Sequence, residues 1–312
     1  MPNYRVTVNL ELTGKCNARC VMCPRDAMVR PAIMSLDTLH WVLARVNPKD
    51  VSRMVVAGFG EPTTHPQFEA CLDILRSAPV PVDLVTNGHL LDEARLRRID
   101  EFVRLLIVSY SSIDRHVYSQ VHVNLDHARV TRNIVMAQRR LHSTQLAISL
   151  TPLSVCMPSL PRTIEWLRRE GVAALTMSPT LYDRAGAMKA SAAAAPADLR
   201  RVIRTYGLQS QELAFIPSLR DIFAQWRANR YRCIPRNSDL AIAADGSYQY
   251  CFDDIRHSHP LGHVSEMTIR EALFVRERKP ADPRLCANCG IRGRYGPVEA
   301  ARVGLSYMRA SH

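Results

Sequence analysis

The sequence predicts an α/β protein: a partial (β/α)6 barrel of the TIM-like kind, followed by a small C-terminal module. Three observations predict it. Strand-length apolar runs alternate with helix-length amphipathic runs six times before residue 180, the pattern of parallel strands joined by right-handed helical crossovers. A loop with three cysteines follows the first strand directly, and folds of this kind gather their chemistry at the C-terminal ends of the strands. Composition then changes at Cys233, beyond which cysteines accompany a hairpin and a short helix. The expected division is residues 1–230 for the barrel and 231–312 for the module.

Val6–Leu12 reads as the first strand, and the cysteine loop Cys16–Arg25 follows it. Ser35 is placed to cap a helix reaching about Val46, since its hydroxyl can take one of the unpaired amides of the first turn. Met54–Ala57 is the second strand and His65–Ser77 its helix; Val82–Thr86 is the third, with Asp92–Phe102. Leu105–Ser109 is the fourth, followed by helical runs at Asp114–Val121 and Leu125–Leu141. Leu146–Thr151 with helix Pro158–Glu170 and the strand Ala174–Ser178 complete the six. The run Ala187–Pro196 is low in complexity and reads as a linker, a lid or a frayed helix start. Helices near Asp198–Tyr206 and Ser218–Asn229 lead to Cys233, and Asp245-Gly246 then marks a hairpin turn ahead of a helix at Thr268–Arg276.

Hydrophobic residues make up 47% of the 312, ample for a core. No run of about 18 apolar residues offers a membrane span, and the N-terminus lacks the charged and apolar regions of a secretory signal. Nine cysteines without such a signal point to metal ligation in a reducing cytoplasm rather than to disulfides. The formal charge of +12 invites a nucleic-acid reading. However, the arginines are scattered over many helices and aromatics are only 6%, so the charge is assigned to solvated helix faces and nucleic acid is not expected as a partner.

Cys16, Cys20 and Cys23 are spaced C-x3-C-x2-C. Thiolates are soft ligands for iron–sulfur clusters and zinc, and a structural zinc wants four protein ligands. Three close cysteines without a fourth nearby suit a cubane held at three irons, with one iron open. A zinc site and plain structural thiols are the competing readings. The spacing resembles the radical S-adenosylmethionine (SAM) superfamily. That resemblance implies a [4Fe–4S] cluster whose open iron is chelated by the amino acid end of SAM, and reductive cleavage of SAM to a 5′-deoxyadenosyl radical. It also implies a reducing partner such as a flavodoxin or ferredoxin.

Further motifs agree with it. Gly58-Phe59-Gly60-Glu61-Pro62, after the second strand, resembles the GGE-type motif whose backbone holds the SAM ammonium; Gly58, Gly60 and Glu61 are carried over, while Phe59 departs from the commoner glycine. Thr86-Asn87-Gly88 matches a TNG turn common in the subclass. Ser109 matches a V-S-x-D-x element lining the SAM site, whereas Ser111 stands where aspartate is common. Arg184 lies in Asp183-Arg184-Ala185-Gly186, similar to an N-R-A-G element, which implies a bidentate pairing with the SAM carboxylate; a surface arginine is the plainer reading. Met22 stands where the family packs an apolar residue beside the adenine, and fits a core position equally.

Cys233, Cys251, Cys286 and Cys289 can saturate a second [4Fe–4S] cubane or a zinc, and spacing alone does not separate the two. The run from Cys233 to the Cys286-x2-Cys289 pair resembles the auxiliary-cluster tail of radical SAM enzymes. With no cysteine after Cys289, it resembles the one-cluster "twitch" form rather than the two-cluster SPASM form. Cys71 reads as a buried small hydrophobe. Cys156, just past the fifth strand, and Cys251 are candidate hydrogen-atom donors to a substrate radical; a structural role for the first and cluster ligation for the second are the plainer assignments.

The resemblance implies hydrogen abstraction from an unactivated carbon. A fully ligated auxiliary cluster favours oxidation of an alcohol, as in an aminocyclitol dehydrogenase of aminoglycoside biosynthesis. A thiol donor favours epimerisation, as in a neomycin-type sugar epimerase. The cysteine motif opens at residue 16, which is expected to leave no leader-peptide recognition domain before it. The resulting expectation is a tailoring enzyme acting on a sugar-like or aminocyclitol small molecule. Modification of a ribosomal peptide is the alternative, and a non-enzymatic zinc or electron-transfer protein the distant third.

Overall fold

Short apolar runs become strands here because one face of each is covered by helices and the other lines a narrow lumen. In the computed structural model, which describes residues 4–28, 31–177, 194, 196–210, 238–280 and 283–286, twelve strands form. They are β1 Val6–Leu10, β2 Arg19–Cys20, β3 Val51–Val56, β4 Val82–Thr86, β5 Val103–Tyr110, β6 His122–Val123, β7 Gln145–Leu150, β8 Ala174–Met177, β9 Gln209–Ser210, β10 Asp239–Ile242, β11 Ser247–Gln249 and β12 Pro260–His263. Ten of them form one sheet in the order β12-β11-β10-β1-β3-β4-β5-β7-β8-β9, and β2 pairs with β6 apart from it.

The six parallel strands expected from the sequence are β1, β3, β4, β5, β7 and β8. The expected partial α/β barrel is therefore the fold, widened by one parallel strand at each edge: β9 beside β8 and β10 beside β1. The β10 strand carries the β11–β12 hairpin with it in antiparallel pairing. The hairpin anticipated in a separate C-terminal module thus continues the barrel's own sheet. Its turn is made at Gly246, whose φ of 87° needs a residue without a Cβ.

Helices follow the strands, and several are started by a side chain that accepts an orphan amide. They are α1 Leu36–Arg45, α2 Phe68–Leu75, α3 Glu93–Asp100, α4 Arg115–Val121, α5 His127–Arg140, α6 Leu160–Arg169, α7 Pro196–Thr205 and α8 Ile269–Arg278. Ser35 caps α1, and Asp92, Asp114 and Asp126 cap α3, α4 and α5. Thr268 and Glu271 form a reciprocal capping box on α8. Strand residues such as Val6, Val8, Leu10, Leu106, Val108 and Ile148 are fully buried in the core they share with the helices.

The lumen side of the strands is polar at its base. Asp83 accepts from Arg104 Nη2 at 2.6 Å and Arg53 Nη1 at 3.4 Å, and Asn9 Nδ2 donates to Asp239 Oδ1 at 3.0 Å. In register, Thr7 sits between Asp239 and Arg53. Ion pairs and amides thus gather near the starts of these strands, while Glu11, Ala57 and Asn87 lie just past their C-terminal ends.

Candidate active site

The cysteine loop leaves β1 at Glu11 and returns to the fold before α1. Its base is closed by Gly14 N–H to Ala32 O at 2.8 Å, Met34 N–H to Leu12 O at 2.9 Å and a bridge between Thr13 and Ile33. Arg25 holds the loop from within, its Nη1 donating to Cys16 O at 3.1 Å and Ala18 O at 2.6 Å. The β2–β6 ribbon anchors the far side, setting Cys20 opposite His122, and Val21 N–H bonds Val121 O at 3.0 Å.

Cys16, Cys20 and Cys23 are all half-buried on this one loop. Burial pushes the Cys16 thiol up, and pushes the Cys20 thiol up to about 12, with the neighbouring cysteines adding to the rise at Cys20. Thiolates here are disfavoured until a positive group compensates them, which is the demand a metal cluster answers. Among the described residues no three His, Cys, Asp or Glu side chains converge on a single-ion site. Three thiolates that each serve a different iron of a cubane need no common point, so the donor set fits a cluster with one iron left to another ligand.

The Gly58–Glu61 turn is pressed onto the loop. Glu61 N–H donates to Lys15 O at 2.8 Å, and a Cβ on Gly60 would lie 1.9 Å from Thr13 O and 2.6 Å from Lys15 O. A Cβ on Gly58 would meet the Glu11 side chain at 2.6 Å. Close approach rather than an unusual φ thus distinguishes both glycines, Gly60 facing backbone and Gly58 a side chain.

The Glu61 carboxylate, placed by sequence at the cofactor, is occupied within the protein. It accepts from Thr63 N at 3.1 Å, Thr63 Oγ1 at 2.6 Å, Thr86 Oγ1 at 2.6 Å and Asn87 N at 2.7 Å. Burial pushes its pKa up, and these bonds pull it back. Glu61 thus ties the turn after β3 to the Thr86-Asn87-Gly88 turn after β4. Asn87 Nδ2 extends the tie to the cysteine loop by donating to Asn17 Oδ1 at 2.7 Å.

Ser109 is half-buried near the end of β5, in register with Ser149 of β7. Ser111 is fully buried, with a side-chain oxygen that has no hydrogen-bond partner. Met22 is half-buried against a small cluster of Val121, Leu153 and Cys156. Cys156 has none of its surface exposed, and burial pushes its thiol up to about 12; it packs as a small hydrophobe and is not presented at the rim. Cys71 is likewise buried, its thiol pushed up to about 11, as expected of a core cysteine.

Cys251 is half-buried, and its Sγ accepts from Asp253 N at 3.4 Å. It lines a cavity of about 130 Å3 with Asn9, Glu11, Phe59, Asp254 and His257. Cys286 is buried in the main core, against which Cys251 also packs. Cys233, Cys289 and Arg184 lie outside the described residues.

Three residues at the site were not read from the sequence. Arg25 was the last residue of the loop stretch, with no sign that it reaches back. His122 is brought to Cys20 by a two-residue ribbon whose register no periodicity reveals. Glu11 is a buried carboxylate whose Oε2 accepts from Phe59 N at 2.7 Å and whose pKa burial raises; its place in an apolar strand run was the available clue.

Comparison with known proteins places this geometry. Residues 10–153 match the family model described as the radical SAM superfamily. Among curated proteins the chain is 26% identical over 182 residues to a tungsten-containing aldehyde ferredoxin oxidoreductase cofactor-modifying protein of Pyrococcus furiosus, covering 55% of this chain and 51% of the relative. It is 28% identical over 102 residues to a PqqA peptide cyclase of Gluconobacter oxydans, covering 32% and 28%. The chain thus spans about half or less of the length of these relatives. Among solved structures, Streptococcus suis SuiB bound to the precursor peptide SuiA superposes with a TM-score of 0.70 at 13% identity, over 93% of this chain and 70% of that one. BtrN in complex with AdoMet and 2-DOIA superposes with a TM-score of 0.53 at 14% identity, over 93% and 94%. These likenesses are of fold. Residues 10–153 thus carry a match to the radical SAM superfamily, and the partial barrel around the three-cysteine loop is the fold shared with these solved structures.

Proposed function

We propose that the protein holds a [4Fe–4S] cluster on Cys16, Cys20 and Cys23, binds SAM beside it, and removes hydrogen from a carbon of a small hydroxylated molecule. A sugar-like molecule or an aminocyclitol is the proposed substrate, dehydrogenated or epimerised in natural-product biosynthesis. When bound, the cluster and SAM supply a 5′-deoxyadenosyl radical, chemistry beyond any side chain. The chain's own residues hold and orient. Arg25 and the β2–β6 ribbon fix the cysteine loop. The turn at Gly58 and Gly60 offers bare backbone beside that loop for the SAM ammonium. Met22 and Ser109 are the proposed contacts for the rest of SAM, and Arg184 for its carboxylate.

The observation that carries the substrate class is the cavity beside Cys251. Asn9, Glu11, Gln249, Asp254 and His257 bring amide, carboxylate and imidazole groups to a volume of about 130 Å3 that is otherwise walled by apolar groups, Phe59, Ile242 and Phe252 among them. Such a lining matches the hydroxyls and amines of one small ring. Burial of Glu11 disfavours its charge, and a cationic amine from the substrate would compensate it.

A second [4Fe–4S] cluster on Cys233, Cys251, Cys286 and Cys289 belongs to the same proposal. With Cys251 as its ligand, the reaction is a dehydrogenation. With Cys251 outside the cluster, its thiol returns a hydrogen atom and the reaction is an epimerisation. A reducing partner such as a flavodoxin or ferredoxin is proposed for the first cluster. Among the described residues no helix is long and apolar enough to cross a membrane, and the cytoplasm remains the proposed compartment. Modification of a ribosomal peptide is the second reading, favoured by the local match to a peptide cyclase.

The test is deuterium transfer. The reconstituted protein, SAM and a chemical reductant are incubated with ring-deuterated sugars, aminocyclitols or peptides, and the 5′-deoxyadenosine is examined by mass spectrometry. Deuterium from a hydroxylated ring supports the first reading. Deuterium only from a peptide carbon replaces it with the second.

A further inference from the structure

Cys20 differs from Cys16 in what its sulfur meets. Cys16 Sγ accepts from a backbone amide, Ala18 N–H, at 3.3 Å, whereas Cys20 Sγ lies 3.2 Å from Nδ1 of a side chain, His122. The two residues are a register pair across the β2–β6 ribbon. The imidazole is fully enclosed, 1% exposed, and its ring packs on Tyr118 with centroids 4.7 Å apart. Its other nitrogen, Nε2, is buried with no hydrogen-bond partner.

This arrangement settles where the ring proton sits once Cys20 ligates iron. A ligating sulfur is a thiolate and only accepts. A proton on Nε2 would leave a buried N–H unpaired and turn the Nδ1 lone pair toward a negative sulfur. A proton on Nδ1 satisfies the sulfur and leaves Nε2 bare, the lesser penalty for a buried nitrogen. The imidazole end of this bond is enclosed, and low polarity around it strengthens the bond's electrostatic effect.

We propose that His122 is a positioning residue that donates an Nδ1–H hydrogen bond to the Cys20 thiolate and raises the reduction potential of the SAM-binding cluster. Reduction adds negative charge that spreads onto the ligating sulfurs, and a donor aimed at one of them stabilises the reduced state more than the oxidised one. The inference rests on the assignment of Cys20 as a cluster ligand. It extends that assignment to a side chain about 100 residues away in sequence.

The test is a redox titration of the reconstituted full chain, following by electron paramagnetic resonance the signal that changes when SAM is added. His122→Phe keeps the ring stacked on Tyr118 but removes the donor; His122→Asn restores a donor branching from the same carbon. The expected result is a midpoint shifted to more negative potential in His122→Phe and returned toward wild type in His122→Asn. An unchanged midpoint in His122→Phe with unchanged iron content overturns the proposal. Should His122→Phe fail to assemble the cluster, wild-type protein carrying 15N-labelled histidine answers instead: a weak 15N coupling to the reduced SAM-responsive cluster supports the bond, and its absence overturns it. A wild type with no SAM-responsive iron–sulfur signal overturns the cysteine-loop assignment itself, and this inference with it.

Discussion

Substituting Gly60 with alanine places a methyl where the barrel has no room for it. The added Cβ would lie 1.9 Å from Thr13 O and 2.6 Å from Lys15 O, both backbone atoms of the segment leading into the cysteine loop. The shorter separation is about 1.5 Å inside ordinary van der Waals contact. Neither oxygen can swing aside, so the turn must retreat. A retreat of that size takes the Glu61 N–H···O=C Lys15 bond from 2.8 Å out of hydrogen-bonding range. Overpacking of this kind costs about 1–3 kcal/mol, and a lost backbone bond adds about 1 kcal/mol. The expected destabilisation is about 3 kcal/mol, a fall in Tm of about 5 °C for a chain of this length. Gly58→Ala is the internal control, because its new Cβ meets only the Glu11 side chain, whose χ angles can give at a loss of about 1 kcal/mol. Thermal melts by circular dichroism, with iron content after reconstitution, read both variants. Gly60→Ala should melt well below Gly58→Ala and hold less iron. A Gly60→Ala protein that melts with wild type and keeps its iron would refute the close approach of turn and loop.

Other expectations come from the same structure. Burial pushes the Asp239 carboxyl up to about 7, so the folded chain holds a proton there that the unfolded chain releases near pH 4. This group therefore weakens stability progressively as pH rises from about 4 to about 7, by up to about 4 kcal/mol, and no further above that. In Asp239→Asn, urea midpoints at about pH 5.5 and about pH 8 should converge relative to wild type; an unchanged pH slope would contradict it. Glu61→Ala leaves the Thr63, Thr86 and Asn87 donors without their acceptor, so stability should fall by about 3 kcal/mol and SAM affinity with it. Unchanged SAM affinity in both Glu61→Ala and Ser109→Ala would remove these residues from the cofactor site. For Cys251, turnover in D2O is the discriminating measurement. As a cluster ligand, its replacement by alanine should degrade the second cluster, with no solvent deuterium in the product. Solvent deuterium at an inverted carbon, lost in Cys251→Ala at unchanged iron content, would make it the hydrogen donor instead.

The elements that read well from sequence are those whose pattern is local. Val82–Thr86 emerges at its predicted bounds because its apolar run stops at a turn of Asn and Gly. The helix after Asp114 starts where its aspartate accepts two amides. Strand one was read to Leu12 but ends at Leu10, since Leu12 and Thr13 leave the sheet to pair with the returning loop at Ile33 and Met34. The Pro158–Glu170 helix is in fact a 3-10 stretch over Ser154–Ser159 followed by an α-helix from Leu160, a change of pitch that apolar spacing does not resolve. At the site, spacing and residue type single out the cysteines and the two glycines, and the structure sets the three cysteines on one loop with the glycine turn pressed against it. The role of Glu61 was not: its four donors come from three residues, two of them on the next strand's turn. The addition of β10 to the edge of β1 and the pairing of Cys20 with His122 are registers between distant segments, set by packing rather than by any local pattern.

The three-cysteine site is tested most directly by replacing Cys16, Cys20 and Cys23 together with alanine and assaying reductive SAM cleavage. The reconstituted wild type, given SAM and a low-potential reductant, should form 5′-deoxyadenosine and show an iron–sulfur signal that changes on SAM addition. The triple variant should form none and lose that signal, while any iron at the proposed second cluster is retained. Continued formation of 5′-deoxyadenosine by the triple variant would contradict the assignment of these thiols to the SAM-cleaving cluster.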